Sequence, residues 1–173
     1  MTTEQLRHRM SPILKALKER SLRGRTPVEG LRRTECAYHG WDTVHADAAS
    51  WEPFAPGDAF GGLEAHHCFK GTVTLPEASA GKRVVCLVST GASDIWNNNN
   101  PQFLAYVDGR LVCGLDVNHN ECDLAACAVP GESHELALYV YCNTPARDVF
   151  LRVETAERDD DVTGLYYDLR APY

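Results

Sequence analysis

Apolar residues near the N-terminus recur at helical spacing and predict a helix from residue 3 to about residue 20. A serine followed by a proline at positions 11 and 12 resembles a second helix start, so we expect a break or kink there. Residues 21–34 are basic and contain glycine and proline, which predicts a linker. The apolar stripe of the helix needs a partner surface and consists of Leu6, Met10, Ile13, Leu14 and Leu17.

From about residue 35 onward, short runs rich in Val, Leu, Tyr, Phe and Thr alternate with Gly, Pro, Asn and Asp, and we expect no helix there. Regular short strands with turn signals between them are typical of an all-β sandwich. Residues 134–141 carry apolar side chains on both strand faces, so we expect this strand to be covered on both sides. The clearer predicted strands are 66–74, 83–89, 102–107, 110–115, 134–141, 148–155 and 163–169.

Turn residues predict one hairpin and two loops. Asp108-Gly109 lies between two β-type runs and favours a type I′ hairpin turn, in which both central residues need a positive φ. Residues 51–62, with the sequence WEPFAPGDAFGG, predict a long loop with aromatic anchors. The run Asp159-Asp160-Asp161 is expected to be a solvated turn between two strands.

The second strand of the hairpin is followed by five polar or titratable groups within the six residues from Asp116 to Glu121. Asp, Asn, His and Glu side chains supply the usual hydrogen-bond partners of sugar hydroxyls, so this segment is a candidate sugar-binding or catalytic site. Asp116 and Glu121 are also the nearest carboxylate pair for glycoside hydrolysis. The favoured interpretation is a turn in which Asp116, Asn118 and His119 satisfy backbone groups, or an interdomain contact.

The length of the chain and its cysteine content are typical of a single-domain protein without disulfide bonds. A chain of 173 residues suits one domain and buries enough surface for a real core without disulfides. No apolar run approaches the about 18–20 residues of a membrane span, and we expect no secretory signal. The seven cysteines include no Cys-x-x-Cys pair and predict reduced thiols in a cytosolic protein.

Charge is unevenly distributed along the chain. Residues 1–33 contain nine basic and three acidic residues, whereas the remainder contains eight basic and twenty-one acidic residues. A basic arm is one mark of nucleic-acid binding, but no aromatic residues are interleaved with it. We therefore expect the arm to lie against the acidic remainder of its own chain or against a partner domain.

Two further groups of residues could form a metal-binding or sugar-binding site, but a structural role explains each of them better. His66 and His67 are adjacent on a predicted strand and point to opposite faces, so they are poorly placed to bind one metal ion together. The aromatic residues Trp51, Phe54, Phe60 and Trp96 could stack on a sugar, but loop aromatics more often anchor the loop to the core.

Residues 100–121, NPQFLAYVDGRLVCGLDVNHNE, resemble the N-terminal β-sandwich domain of glycoside hydrolase family 38 α-mannosidases of the cytosolic and bacterial type. The resembling pattern is Asn-Pro-Gln, a strand ending in Tyr-Val-Asp-Gly, and then Gly-Leu-Asp-x-Asn-His-x-Glu. Further similar parts occur in the same order: the opening helix, the loop at 51–62, LPEASAGKRVV at 75–85 and LYYDLR at 165–170. The resemblance covers nearly the whole chain.

The chain departs from that family in two respects. Phe60 stands where the family usually has tryptophan. The family's metal-binding His-x-Asp motif and its aspartate nucleophile lie in the catalytic barrel, and His45-Ala46-Asp47 has only the bare spacing in a different context. No catalytic or metal-binding residue is therefore carried over to this chain.

Together these observations predict an all-β, jelly-roll-like sandwich, similar in type to galactose-binding-like modules, at 35–173, preceded by a helical arm and basic linker at 1–34. The resemblance implies a non-catalytic domain of a cytoplasmic α-mannosidase that supports the catalytic barrel and helps subunits assemble. Zinc or a similar divalent metal would be held by that barrel, with no cofactor in this chain. The alternative is a module that itself binds mannosides; neither nucleic acid nor membrane is expected as a partner. The candidate interface or sugar-binding residues are Trp96, Asn100, Gln102, Asp116, Asn118, His119 and Glu121.

Overall fold

The computed structural model describes residues 3–91 and 101–171. Within these ranges, two α-helices flank a series of ten strands. Three short 3₁₀ segments lie at Gly40–His45, Ala48–Ser50 and Glu77–Ser79. The helices and strands are α1 (Thr3–Arg20), β1 (Leu22–Pro27), β2 (Arg32–Cys36), β3 (Glu52–Pro53), β4 (Ala59–Thr74), β5 (Arg83–Ser89), β6 (Gln102–Val107), β7 (Arg110–Leu115), β8 (Glu121–Ala125), β9 (Ser133–Phe150), β10 (Arg152–Arg158) and α2 (Asp160–Arg170).

The strands form two antiparallel sheets. One sheet has four strands in the order β1-β10-β5-β8, and the other has six in the order β3-β2-β4-β9-β6-β7. The predicted all-β, jelly-roll-like sandwich with a helical arm is confirmed. No helix in the described ranges is long and apolar enough to cross a lipid bilayer.

The core lies between the two sheets. The six-stranded sheet contributes Phe69, Leu136 and Leu138, and the four-stranded sheet contributes Val84 and Val153, among others. In the middle of β9, Leu136, Leu138 and Val140 face the core, whereas Ala137 and Tyr139 face outward and are also buried. The prediction that this strand is covered on both faces is confirmed.

The predicted hairpin turn joins β6 to β7. Asp108 and Gly109 both have positive φ angles, 49° and 74°, as a type I′ turn requires. The Asp108 carboxylate accepts the backbone N–H of Glu135 at 2.9 Å and lies 2.8 Å from Nδ1 of His134. The hairpin tip is therefore tied to the beginning of β9.

The linker predicted at 21–34 is instead largely strand, because β1 pairs with β10 and β2 pairs with β4. The sequence did not indicate strand β1 because this strand lies at a sheet edge and nearly all its side chains are exposed. It therefore lacks the alternation of apolar and polar residues that predicts a strand. Three of the four basic side chains of this segment pair with acidic residues of the same chain, which is one of the two arrangements expected. The pairs are Arg23–Asp159 at 3.3 Å, Arg25–Glu154 at 3.8 Å and Arg33–Glu52 at 3.1 Å.

The predicted break in the first helix does not occur, since α1 runs through Pro12. A proline inside a helix removes one N–H donor, so one carbonyl of the preceding turn lacks its helical partner. The chain also contains a second helix that the sequence interpretation missed, and α1 packs against it. The half-buried members of the α1 stripe are Leu6, Met10, Leu14 and Leu17.

That second helix, α2, occupies the segment predicted as the strand 163–169. The acidic run before it is not a turn between strands. The Asp159 carboxylate accepts the N–H of Val162 at 3.0 Å and caps the helix, and Asp160 and Asp161 lie in its first turn. Negative charge there complements the helix dipole, so the run is a helix-start signal.

Two other boundaries differ from the prediction. The predicted strand 148–155 spans the end of β9 and the beginning of β10, with the chain reversing between them. The predicted loop at 51–62 contains β3 and the beginning of β4. Its aromatic residues Trp51, Phe54 and Phe60 are buried, so they anchor this segment to the protein rather than forming an exposed platform.

His67 is a titratable side chain inside the core. It lies on the inner face of β4 with 1% exposure, 5.5 Å from the ring of Phe60. Burial lowers the pKa of its imidazole below the ordinary value of 6.5. A hydrogen bond with the backbone of Gly61 opposes this shift, and the charge of Arg33 adds to it.

Stability should consequently fall when the pH drops below about 6.5, because the unfolded chain then binds a proton that the folded chain does not. We expect the His67→Leu variant to lose this component, which has a slope of up to about 1.4 kcal/mol per pH unit. Urea unfolding of both proteins between pH 7.5 and about pH 5 measures the difference. The exposed His8→Gln variant serves as the control, and equal pH slopes in His67→Leu and wild type would contradict this assignment.

Candidate functional site

The outer face of the six-stranded sheet carries a second apolar cluster. Cys68, Tyr106 and Tyr139 project from the sheet, and Val44 and Trp51 pack on them from the segment 37–51. This segment, called here the covering loop, contains two of the short 3₁₀ segments.

A buried lysine fastens the covering loop to the sheet. Nζ of Lys70 donates to the carbonyl of Ala46 at 2.8 Å and lies 3.2 Å from Oε1 of Glu135. The same ammonium group lies 5.9 Å from the centre of the Trp51 ring. A buried charge needs such partners, so Lys70 is part of the structure of this face.

Beyond the covering loop, the sheet face remains open and forms a groove of about 410 Å³. The ends of β6 and β7 form one part of it, and outward-facing tyrosines of β9 form another. This feature, called here the outer groove, is lined by Gln102, Phe103, Leu104, Gly114, Leu115, Asp116, Tyr139 and Tyr141.

A cluster of aromatic and titratable side chains adjoins the outer groove. The hydroxyl of Tyr139 is hydrogen-bonded to Nδ1 of His66 at 2.8 Å. The imidazole stacks on Tyr139 and Tyr141, with ring centres 5.7 Å and 5.1 Å apart, and lies 5.5 Å from the ring of Tyr38. Tyr38 is 70% exposed, so the cluster presents an aromatic surface to solvent.

Glu64 supplies a carboxylate to the same cluster. Tyr141 donates its hydroxyl proton to Oε1 of Glu64 at 2.9 Å, and this hydrogen bond raises the pKa of the Tyr141 phenol. Glu64 has a φ of 54°, an uncommon backbone conformation for a residue with a side chain, at a β-bulge that follows two glycines. Strained backbone of this kind is concentrated at functional sites.

Of the predicted site residues, Gln102 and Asp116 line the outer groove. Trp96 and Asn100 lie outside the described residues. Asn118 and His119 belong to the turn after β7, and Glu121 begins β8, with its carboxylate 4.0 Å from Nη1 of Arg158. Their proposed role in binding stays a prediction.

Asp116 organises the turn after β7. Its Oδ1 accepts the backbone N–H groups of Asn118 and His119, both at 2.7 Å, and lies 3.2 Å from Nδ1 of His119. Burial of Asp116 opposes ionisation, but these N–H donors outweigh it and lower the pKa of the carboxyl. The geometry is that of a polar turn in which the carboxylate satisfies backbone groups.

Sequence reasoning missed Glu64, Tyr139 and Tyr141 as members of a site. Tyr139 and Tyr141 are two residues apart on a strand and so share a face, which is a visible signal. Glu64 is 77 residues away from Tyr141 along the chain, and no local pattern links them. The predicted opposite orientation of His66 and His67 is confirmed by their separate environments.

Metal binding finds no support among the residues that the structure describes. No group of three His, Cys, Asp or Glu side chains in those ranges is arranged to hold an ion.

Comparisons with known proteins give a likeness of fold. No protein-family model matches the chain, and no curated protein matches it. A Faecalibacterium prausnitzii β-glucuronidase structure has a TM-score of 0.52 and 12% identity, over 80% of this chain and 32% of that one. A Ruminococcus gnavus β-glucuronidase in complex with D-glucuronic acid has a TM-score of 0.54 and 8% identity, over 79% and 30%.

A Bacteroides uniformis β-glucuronidase gives similar values, with a TM-score of 0.52, 10% identity and coverage of 77% of this chain and 18% of that one. At such identities the likeness shows the shared fold alone. The chain spans about a third or less of the length of these enzymes.

Asp116→Ala should lower the free energy of unfolding by about 1–2 kcal/mol, because two backbone N–H groups lose a charged acceptor. Asp116→Asn, which keeps an acceptor oxygen, should lose less. His119→Ala is the matched control: its side chain is 80% exposed, and its removal should change stability by less than about 0.5 kcal/mol. Denaturant unfolding near pH 7 measures all three, and equal losses in Asp116→Ala and His119→Ala would contradict the organising role of Asp116.

Proposed function

We propose that this chain is a non-catalytic β-sandwich domain of a glycoside hydrolase. The observation that carries the proposal is its fold: about 80% of the chain matches solved β-glucuronidases, of which it covers a third or less. A domain of this size within a much longer glycosidase would pack against a separate catalytic domain and stabilise it. Since fold does not determine function, the proposal also draws on the sequence motif at 100–121.

The finer proposal is a parent enzyme of the α-mannosidase type, supported by that motif. The parent would remove α-linked mannose in the cytoplasm, with zinc or a similar divalent metal in its catalytic domain. The catalytic domain of the same protein would be the partner of this sandwich, and the parent would assemble as a homo-oligomer. The fold likeness to β-glucuronidases makes β-glucuronides the competing substrate class.

The isolated chain is expected to hydrolyse neither aryl α-mannosides nor aryl β-glucuronides above the rate in buffer. Chromogenic assays with each substrate test this, with and without added zinc. Turnover that follows the protein through repeated purification would contradict the non-catalytic role, and the substrate cleaved would identify the activity.

A second candidate function is sugar binding by this chain itself, and the outer groove favours it. Aromatic rings pack against the apolar faces of pyranose rings, and tyrosine hydroxyls, amides and carboxylates bond to sugar hydroxyls. The groove and its adjoining cluster offer Tyr38, Tyr141, Gln102 and Glu64 for these roles. Because Glu64 and Asp116 are both acidic, a neutral sugar should be preferred to an anionic one.

An NMR titration with methyl α-D-mannopyranoside tests this second function. Saturable shifts are expected at the amides of residues 102–104, 114–116 and 139–141, with weaker shifts from methyl β-D-glucuronide. Tyr141→Ala and Gln102→Ala should abolish them, whereas Tyr167→Ala, an exposed tyrosine on α2, should not. No shifts at millimolar sugar, or shifts unaffected by the groove variants, would reject binding at this groove.

A further inference from the structure

Two cysteines face each other across neighbouring strands of the six-stranded sheet. In the antiparallel pairing of β2 with β4, Cys36 lies opposite His66 and Thr34 lies opposite Cys68, so the two cysteines are diagonal neighbours. Both belong to the outer-face cluster. Their sulfur atoms are 3.6 Å apart, and Cys68 donates its S–H to the sulfur of Cys36. Closing a disulfide of about 2.05 Å from this contact requires an approach of about 1.5 Å.

The two thiols differ in access and in acidity. Cys68 has 0% exposure, whereas Cys36, at the end of β2, is partly exposed. The hydrogen bond from Cys68 lowers the pKa of Cys36, while the same contact, together with burial, raises the pKa of Cys68. Thiolate character is therefore concentrated on the accessible sulfur, which is the arrangement of an attacking thiol beside a resolving thiol.

The remaining cysteines lack this combination. Cys113 is partly exposed and contacts Cys122, but this contact and burial raise the pKa of the Cys113 thiol, the opposite of the effect at Cys36. Cys86 and Cys122 are opposite each other in the pairing of β5 with β8, but both are buried in the core. Cys142 is also buried, and burial raises the pKa of its thiol to about 11. Cys127 is exposed.

We propose that Cys36 and Cys68 form a redox-active dithiol, which hydrogen peroxide oxidises to a disulfide between β2 and β4. The Cys36 thiolate attacks one peroxide oxygen, the O–O bond breaks, and the departing hydroxide takes up a proton to leave as water. Cys36 is then a sulfenic acid. The sulfur of Cys68 attacks that of Cys36, the S–O bond breaks, and the S–H proton leaves with the hydroxyl group as a second water. Two thiols and one peroxide thus give one disulfide and two waters.

The disulfide would act on the covering loop, which begins at the residue after Cys36. Gly40 already packs closely on this cysteine, since a Cβ placed on that glycine would lie 3.1 Å from Cβ of Cys36. Oxidation would fasten the beginning of the loop to the central strand β4, beside Trp51 and Tyr139. The inference is independent of the proposed glycosidase role.

The test uses the whole chain and a mass-spectrometric peptide map. Cleavage after Lys and Arg leaves Cys36 and Cys68 as the only cysteines of one peptide, residues 34–70. After treatment with stoichiometric hydrogen peroxide, that peptide should lose two hydrogens and resist alkylation until a reductant is added. Further cleavage at acidic residues should give two peptides that remain joined until reduction.

Variants distinguish the two sulfur roles. Cys68→Ala should lose the cross-link and accumulate a sulfenic acid on Cys36 that a cyclic diketone traps, whereas Cys36→Ser should lose both products. Cys127→Ser is the matched control and should retain the full cross-link.

The proposal would be overturned if the 34–70 peptide of the wild type stayed fully alkylatable while Cys127 was oxidised, or if the cross-link joined other cysteines. The wild-type map decides this even where a variant fails to fold.

Discussion

The antiparallel ladder between β4 and β9 is the interaction on which the rest of the structure depends. These two long strands pair from Ala59–Phe150 at one end to Thr74–Ser133 at the other. Beyond the bulges, from His66 of β4 onward, alternate residues of the two strands face the core, and the residues between them build the outer face. A slip of one residue would exchange the two sets and bury His66 and Lys70 where His67 and Phe69 now lie.

The same ladder brings the candidate site together. His66, Cys68 and Lys70 of β4 meet Tyr139 and Tyr141 of β9 on one face, and the covering loop closes over part of it. Glu64 lies at a bulge near the beginning of β4, and its carboxylate accepts a hydrogen bond from Tyr141. The outer groove and the anchorage of the covering loop thus depend on the pairing of β4 with β9, whereas the thiol pair depends on the pairing of β2 with β4.

Local patterns were informative where a strand is apolar and bounded by turn residues. The predicted strands 83–89, 102–107 and 110–115 agree with β5, β6 and β7. The sequence pattern did not predict β1, because it is an exposed edge strand without apolar alternation. It did not predict α2 either, because the beginning of this helix depends on capping by Asp159. The Glu64–Tyr141 contact joins distant segments, so only the folded sheet brings its two residues together.

The central claim is that this sandwich works as part of a larger glycoside hydrolase. The most direct measurement is to purify the natural gene product from its own cells with an antibody against this chain, and to determine its mass, oligomeric state and glycosidase activity. The account predicts a larger polypeptide or assembly that cleaves an aryl glycoside, an α-mannoside on the finer proposal, with loss of activity on chelation and recovery with zinc. A product of the mass of this chain alone, without associated glycosidase activity, would contradict it.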